Sequence, residues 1–125
     1  MKIAMLGLGK MGGNMATRLI RNGISVVGYD TSKEIIAKLE QDENLIPSSS
    51  VEDAVNQIEG QRIIWMMLPA GEITEKQIDN LIPLLNQGDI IVDGGNSNYK
   101  HSVKIGKMLK EHNIGFMDCG TSGGV

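Results

Sequence analysis

Short apolar runs alternate along this chain with longer stretches in which apolar residues return every three or four positions. Ile3-Ala4-Met5-Leu6 reads as a buried strand, and Ser25-Val26-Val27-Gly28-Tyr29, Arg62 to Leu68, Asp89 to Val92 and Gly115 to Asp118 read as further strands. Leu45-Ile46 is a weaker strand, closed by Pro47. Between them, Lys10 to Asn22 predicts a helix with Met11, Met15 and Leu19 on one face and Gly23 after its end. Ser32 to Gln41 predicts a second helix. Ser50 with Asp53 predicts a capping box that opens a short helix to Ile58. Ile78, Leu81, Ile82 and Leu85 mark a further helix face, which Pro83 kinks or ends early. Asn98 to His112 predicts a last helix, with Ile105, Met108 and Leu109 turned inward.

Strand and helix therefore alternate throughout. Parallel strands need crossover connections, and helices supply them. The predicted fold is α/β: a doubly wound, Rossmann-type, mostly parallel sheet with helices on both faces. No linker, repeat or low-complexity tract divides the chain, so residues 1–125 are read as one dinucleotide-binding domain.

Composition narrows the partners. A net charge of -3 provides no basic field for nucleic acid or anionic lipid. No apolar run approaches the ~20 residues of a membrane span. Cys119 is the single cysteine, so no intrachain disulfide can form, which suits a reducing, cytoplasmic setting. Cys119 itself reads as a small core residue, and His101 and His112 as solvated surface. No metal ligand set is assigned. Glycine stands at 16 residues, enough to suggest close approach of backbone to a ligand.

The first glycine cluster gives that suggestion a place. Gly7-Leu8-Gly9-Lys10-Met11-Gly12 matches G-x-G-x-x-G, follows a strand and opens a helix, which is the context a dinucleotide site requires. Gly7 permits the tight turn, Gly9 lets backbone approach a pyrophosphate, and Gly12 lets helix and strand pack closely. The helix N-terminus turns N–H groups toward the phosphates. At the end of the second strand, Asp30 can accept from both adenosine ribose hydroxyls and would repel a 2′-phosphate. It therefore favours NAD, with NADP second, and nearby Lys33 softens the preference. A turn or helix-capping aspartate is the competing reading of Asp30. Thr31, beside it, and Leu68, Pro69 and Ala70, after the fourth strand, complete the cofactor set, because ligands lie beyond the carboxyl ends of strands in open sheets.

Taken with "DGGNSNY", Asp93 to Tyr99, and "GTSGGV", Gly120 to Val125, the first loop resembles the β-hydroxyacid dehydrogenases, and within them the 6-phosphogluconate dehydrogenase family. Thr121 and Val125 resemble its shorter, NAD-preferring branch. The resemblance implies a cytoplasmic oxidoreductase of gluconate metabolism and the pentose phosphate pathway. It implies oxidative decarboxylation of 6-phosphogluconate to ribulose 5-phosphate and CO2, with NAD(P) reduced. It gives Asn96 contact with both nicotinamide and substrate, and gives Ser122, Gly123 and Gly124 the substrate. A serine hydroxyl and glycine N–H groups can bind an oxyanion without covering it. On the residues alone, each of these loops reads equally as a plain turn or tail.

By the same resemblance, the family's acid–base lysine lies beyond Val125, so no catalytic residue is assigned. The chain is expected to be the N-terminal, cofactor-binding part of a longer homo-oligomeric enzyme (dimer or tetramer), with little or no turnover by itself. Two alternatives stay open: a dehydrogenase of another 3-hydroxy acid, such as 3-hydroxyisobutyrate, and a stand-alone NAD-binding module.

Overall fold

The computed structural model describes residues 2–68, 72–94 and 99–118, without the side chains of residues 99–102. Its strands are β1 (Lys2–Leu6), β2 (Ser25–Tyr29), β3 (Ile46–Pro47), β4 (Ile63–Met66), β5 (Ile90–Asp93) and β6 (Gly115–Asp118). The helices between them are α1 (Lys10–Arg21), α2 (Lys33–Glu43), α3 (Val51–Asn56), α4 (Glu72–Leu81) and α5 (Tyr99–Glu111). The strands form one sheet in the order β3-β2-β1-β4-β5-β6, and every pairing is parallel. The chain winds outward from β1 in one direction, then returns to its other side at β4. That reversal is the switch point at which doubly wound sheets open a crevice for ligands.

Alternation along β1 splits the core into two. Ile3 and Met5 face one side with Val26, Ala16 of α1 and Ile36 of α2. Ala4 and Leu6 face the other, with Ile64, Met66 and Ile91 and with Ala54, Ile78, Ile105 and Leu109 from α3, α4 and α5. Both faces of the sheet are thus covered, as its unbroken apolar strands require. Among the described residues, no helix is long and apolar enough to cross a membrane.

Local chemistry sets the element ends. Ser32 caps α2, its Oγ accepting from the Ile35 N–H at 3.4 Å. Asn44 ends that helix in the left-handed region at φ 63°. Ser50 caps α3, but the reciprocal bond of the expected capping box moves by one residue: Asp53 Oδ2 accepts from the Ser49 N–H at 2.9 Å. Pro83 has the expected effect, since α4 ends at Leu81 and a 3-10 turn covers Ile82–Leu84.

Three expectations need adjustment. Pro47 lies within β3 rather than closing it. Among the described strands β3 pairs only with β2, and an edge position tolerates the missing N–H. Met11 is 49% exposed, so the buried stripe of α1 runs through Gly12 and Ala16, with Met15 and Leu19 at its border. β5 begins one residue after Asp89, because the Asp89 carboxylate ties the loop that precedes it to the start of β4.

Candidate functional site

Three backbone bonds continue the sheet past its carboxyl edge. The Gly7 N–H donates to the Tyr29 carbonyl at 2.9 Å, the Met67 N–H to Leu6 at 2.8 Å and the Gly94 N–H to Met66 at 2.8 Å. The loops after β1, β4 and β5 therefore begin side by side at one edge.

Within the first loop, each glycine has a separate physical reason. Gly7 has φ 95°, and a β carbon there would also run into the Met67 carbonyl. At Gly12 a β carbon would collide with the Gly7 carbonyl oxygen, so only glycine lets α1 sit this close to the turn. Gly9 differs: among the described residues, a β carbon there would meet no atom within 4 Å beyond its chain neighbours. No side chain caps α1 at Gly9, and the first helical bond runs from the Gly13 N–H to the Gly9 carbonyl at 2.7 Å. Bare backbone thus faces open space at a helix N-terminus. This cradle, which a side chain would fill, fits a pyrophosphate.

Asp30 lies at the end of β2 and is partly exposed. Its Oδ2 accepts from the Leu8 N–H at 2.7 Å, and its Oδ1 accepts from the Ser32 N–H at 2.8 Å. The second bond makes Asp30 a turn aspartate, as its competing reading anticipated. The first ties it to the glycine loop. An ionised carboxylate has about four lone-pair sites, so room remains for two hydroxyl donors. Thr31 and Lys33 join Asp30, Tyr29 and Ser49 around a groove of about 300 Å³. A neighbouring groove of about 260 Å³ runs past Gly9, Lys10, Ile35 and Lys38. Asp30 and the open side of Gly9 thus border adjoining hollows at one end of the sheet.

Leu8 contributes a backbone donor to Asp30 and a side chain only 2% exposed, packed into the core beside α2. Lys10 and Thr31 are exposed, and Leu68 packs partly buried against the other core. Pro69, Ala70, Asn96, Ser122, Gly123, Gly124 and Cys119 lie outside the described residues. His112 is exposed.

Sequence reasoning passed over three contributors. Ser32 fixes Asp30 through its N–H. Gly28, buried in β2, leaves space for Leu8 and Leu45, which a β carbon would meet at 3.0 and 2.7 Å. Met67, at the start of the loop after β4, meets the loops after β1 and β5: a β carbon at Gly7, Gly12 or Gly94 would press on its carbonyl, its Cβ or its Sδ respectively. Trp65 Nε1 also donates to that Sδ at 3.2 Å. The signal for Gly28 was present, a glycine within the strand that Val26 and Val27 mark. Nothing local marks Met67.

Comparison with known proteins adds independent observations. A family model described as the NAD binding domain of 6-phosphogluconate dehydrogenase matches residues 2–125. A decarboxylating 6-phosphogluconate dehydrogenase of Staphylococcus aureus is 38% identical over 98% of this chain, which spans 27% of that protein. An NAD(+)-dependent, decarboxylating 6-phosphogluconate dehydrogenase of Haloferax volcanii is 37% identical over 99% of this chain, which spans 40% of it. Among solved structures, the Plasmodium falciparum 6-phosphogluconate dehydrogenase superposes with a TM-score of 0.84 at 28% identity, over 93% of this chain and 26% of that one. The Mycobacterium tuberculosis 3-hydroxyisobutyrate dehydrogenase shares the fold, with a TM-score of 0.84 at 21% identity over 94% of this chain and 39% of that one.

Proposed function

This chain belongs to the family of NAD binding domains of 6-phosphogluconate dehydrogenase, and from that premise we propose that it is the cofactor-binding part of a decarboxylating, NAD-preferring dehydrogenase of 6-phosphogluconate. The open backbone at Gly9, where no atom of the described residues beyond its chain neighbours lies within 4 Å of the missing β carbon, carries the reading. Gly7 and Gly12 shape the turn so that this opening meets the start of α1. There the backbone would hold the pyrophosphate, and Asp30 would take the adenosine ribose hydroxyls. The groove that Asp30 lines leaves room for the adenosine.

When bound, NAD supplies the hydride acceptor for oxidation of a 3-hydroxy acid. The chain's own part is to bind and to orient. The Gly94 loop, tied to β4 by its N–H, would carry Asn96 toward the reacting centre, and Ser122, Gly123 and Gly124 would receive the substrate's oxyanion. Asp30 supports NAD over NADP, since a carboxylate already holding two N–H groups would face a 2′-phosphate with like charge. The name of the Haloferax relative agrees with that preference.

The test has two stages. Titration with NADH, followed by quenching of Trp65 (the only tryptophan), should saturate. In the enzyme that carries this domain, 6-phosphogluconate should drive NAD reduction, and 3-hydroxyisobutyrate should not. Saturation by 3-hydroxyisobutyrate instead would move the reading to the other branch of the superfamily.

A further inference from the structure

We propose that Asp30 is also a positioning residue: its carboxylate latches the glycine loop through the Leu8 N–H and sets the shape that receives the pyrophosphate. This rests on the reading that the loop binds a dinucleotide. The geometry has two halves. Oδ1 accepts from the Ser32 N–H at 2.8 Å, in a turn two residues long, at the residue whose hydroxyl caps α2. That bond fixes the direction of the carboxylate. Oδ2 then accepts from the Leu8 N–H at 2.7 Å, across 22 residues of sequence.

Leu8 lies between Gly7, which turns the chain, and Gly9, which faces open space. Its side chain is buried beside Leu45 and Gly28, so side chain and N–H together pin the middle of the loop. A hydrogen bond to a charged acceptor is also stronger than its neutral counterpart. Without the carboxylate, the Leu8 N–H loses its partner while the side chain remains trapped. The Gly7–Gly9 segment is then free to turn its N–H elsewhere.

A residue that only reads ribose and a residue that also shapes the loop differ toward a cofactor with no ribose hydroxyls to read. The probe is NADH whose adenosine ribose lacks both hydroxyls, compared with NADH itself. Asp30→Ala should weaken binding of this dideoxy cofactor about tenfold, the equivalent of one charge-assisted bond at its low end. Hydrogen exchange at the Leu8 amide should accelerate in the same variant. Asp30→Ser serves if the alanine variant does not fold. Serine retains a turn bond to the residue-32 N–H but is too short to reach Leu8, so it should lose the same affinity. Dideoxy affinity equal to that of the unaltered chain, in either folded variant, overturns the latch and leaves Asp30 a ribose reader. If the unaltered chain binds neither cofactor, the dinucleotide reading itself falls and the latch with it.

Discussion

Asp30 and Asp89 have the same local bonding at opposite ends of one sheet. Each carboxylate accepts two backbone N–H groups, Leu8 and Ser32 for Asp30, Arg62 and Asn86 for Asp89, all at 2.7–2.8 Å. Asp89 stands before β5, at the amino end of the sheet. It is 1% exposed and lies 3.5 Å from the Arg62 guanidinium. Asp30 stands after β2, at the carboxyl end, partly exposed in the wall of an open groove. The difference teaches what separates a structural aspartate from one placed to read a ligand. It is not the number of bonds each makes, but whether lone pairs remain that a solute can reach.

The contrast can be broken most forcefully at Asp89. Asp89→Ala strands two N–H groups and a mostly buried guanidinium, and should cost about 3 kcal/mol in urea unfolding. NADH affinity should be unchanged under conditions where the variant is folded. The same change at Asp30, where water can reach the freed donors, should cost about 1 kcal/mol or less. Equal losses of stability would erase the distinction. Gly9→Val sharpens it from the ligand's side. The open space accepts the side chain, so stability should hold within about 0.5 kcal/mol, while NADH affinity, read by titration calorimetry, should fall about a hundredfold. A parallel loss of stability would mean that the space is not open.

Asp30→Ala should also change the ratio of NADPH to NADH affinity about tenfold in favour of NADPH, because a like-charge contact is removed. An unchanged ratio would take the specificity role from Asp30. The smallest effect belongs to Arg21 and Glu43, which pair at 2.9 and 3.0 Å on the surface. The hydrogen bond and the charge of Glu43 raise the Arg21 pKa, which keeps the guanidinium charged. Arg21→Gln should nevertheless leave the melting temperature unmoved, since exposed pairs contribute little. A clear drop would show that α1 and α2 depend on it.

The sheet was legible in the sequence because its central strands, β1, β4 and β5, are largely buried and therefore read as unbroken apolar runs. Ile64 and Ile91 are fully buried, as those runs require. The turn at Gly7 and the close packing at Gly12 were legible because turn geometry fixes them by spacing. Met11 was misleading, since periodicity groups residues on a face without saying which face meets the sheet. The bond between Leu8 and Asp30 was not legible at all. It joins a backbone donor to a side chain 22 residues away, and exists only once β1 and β2 settle in register with Leu6 opposite Tyr29. The place of Met67 between the loops after β1 and β5 has the same origin, because β4 inserts beside β1 from a distant part of the chain.

The most direct measurement is a calorimetric titration of the unaltered chain with NADH and with NADPH, under identical buffer and salt. The account predicts that NADH saturates a single site and that NADPH binds at least about tenfold more weakly. Absence of NADH binding would contradict the cradle at Gly9, and equal affinity for the two cofactors would contradict the reading of Asp30.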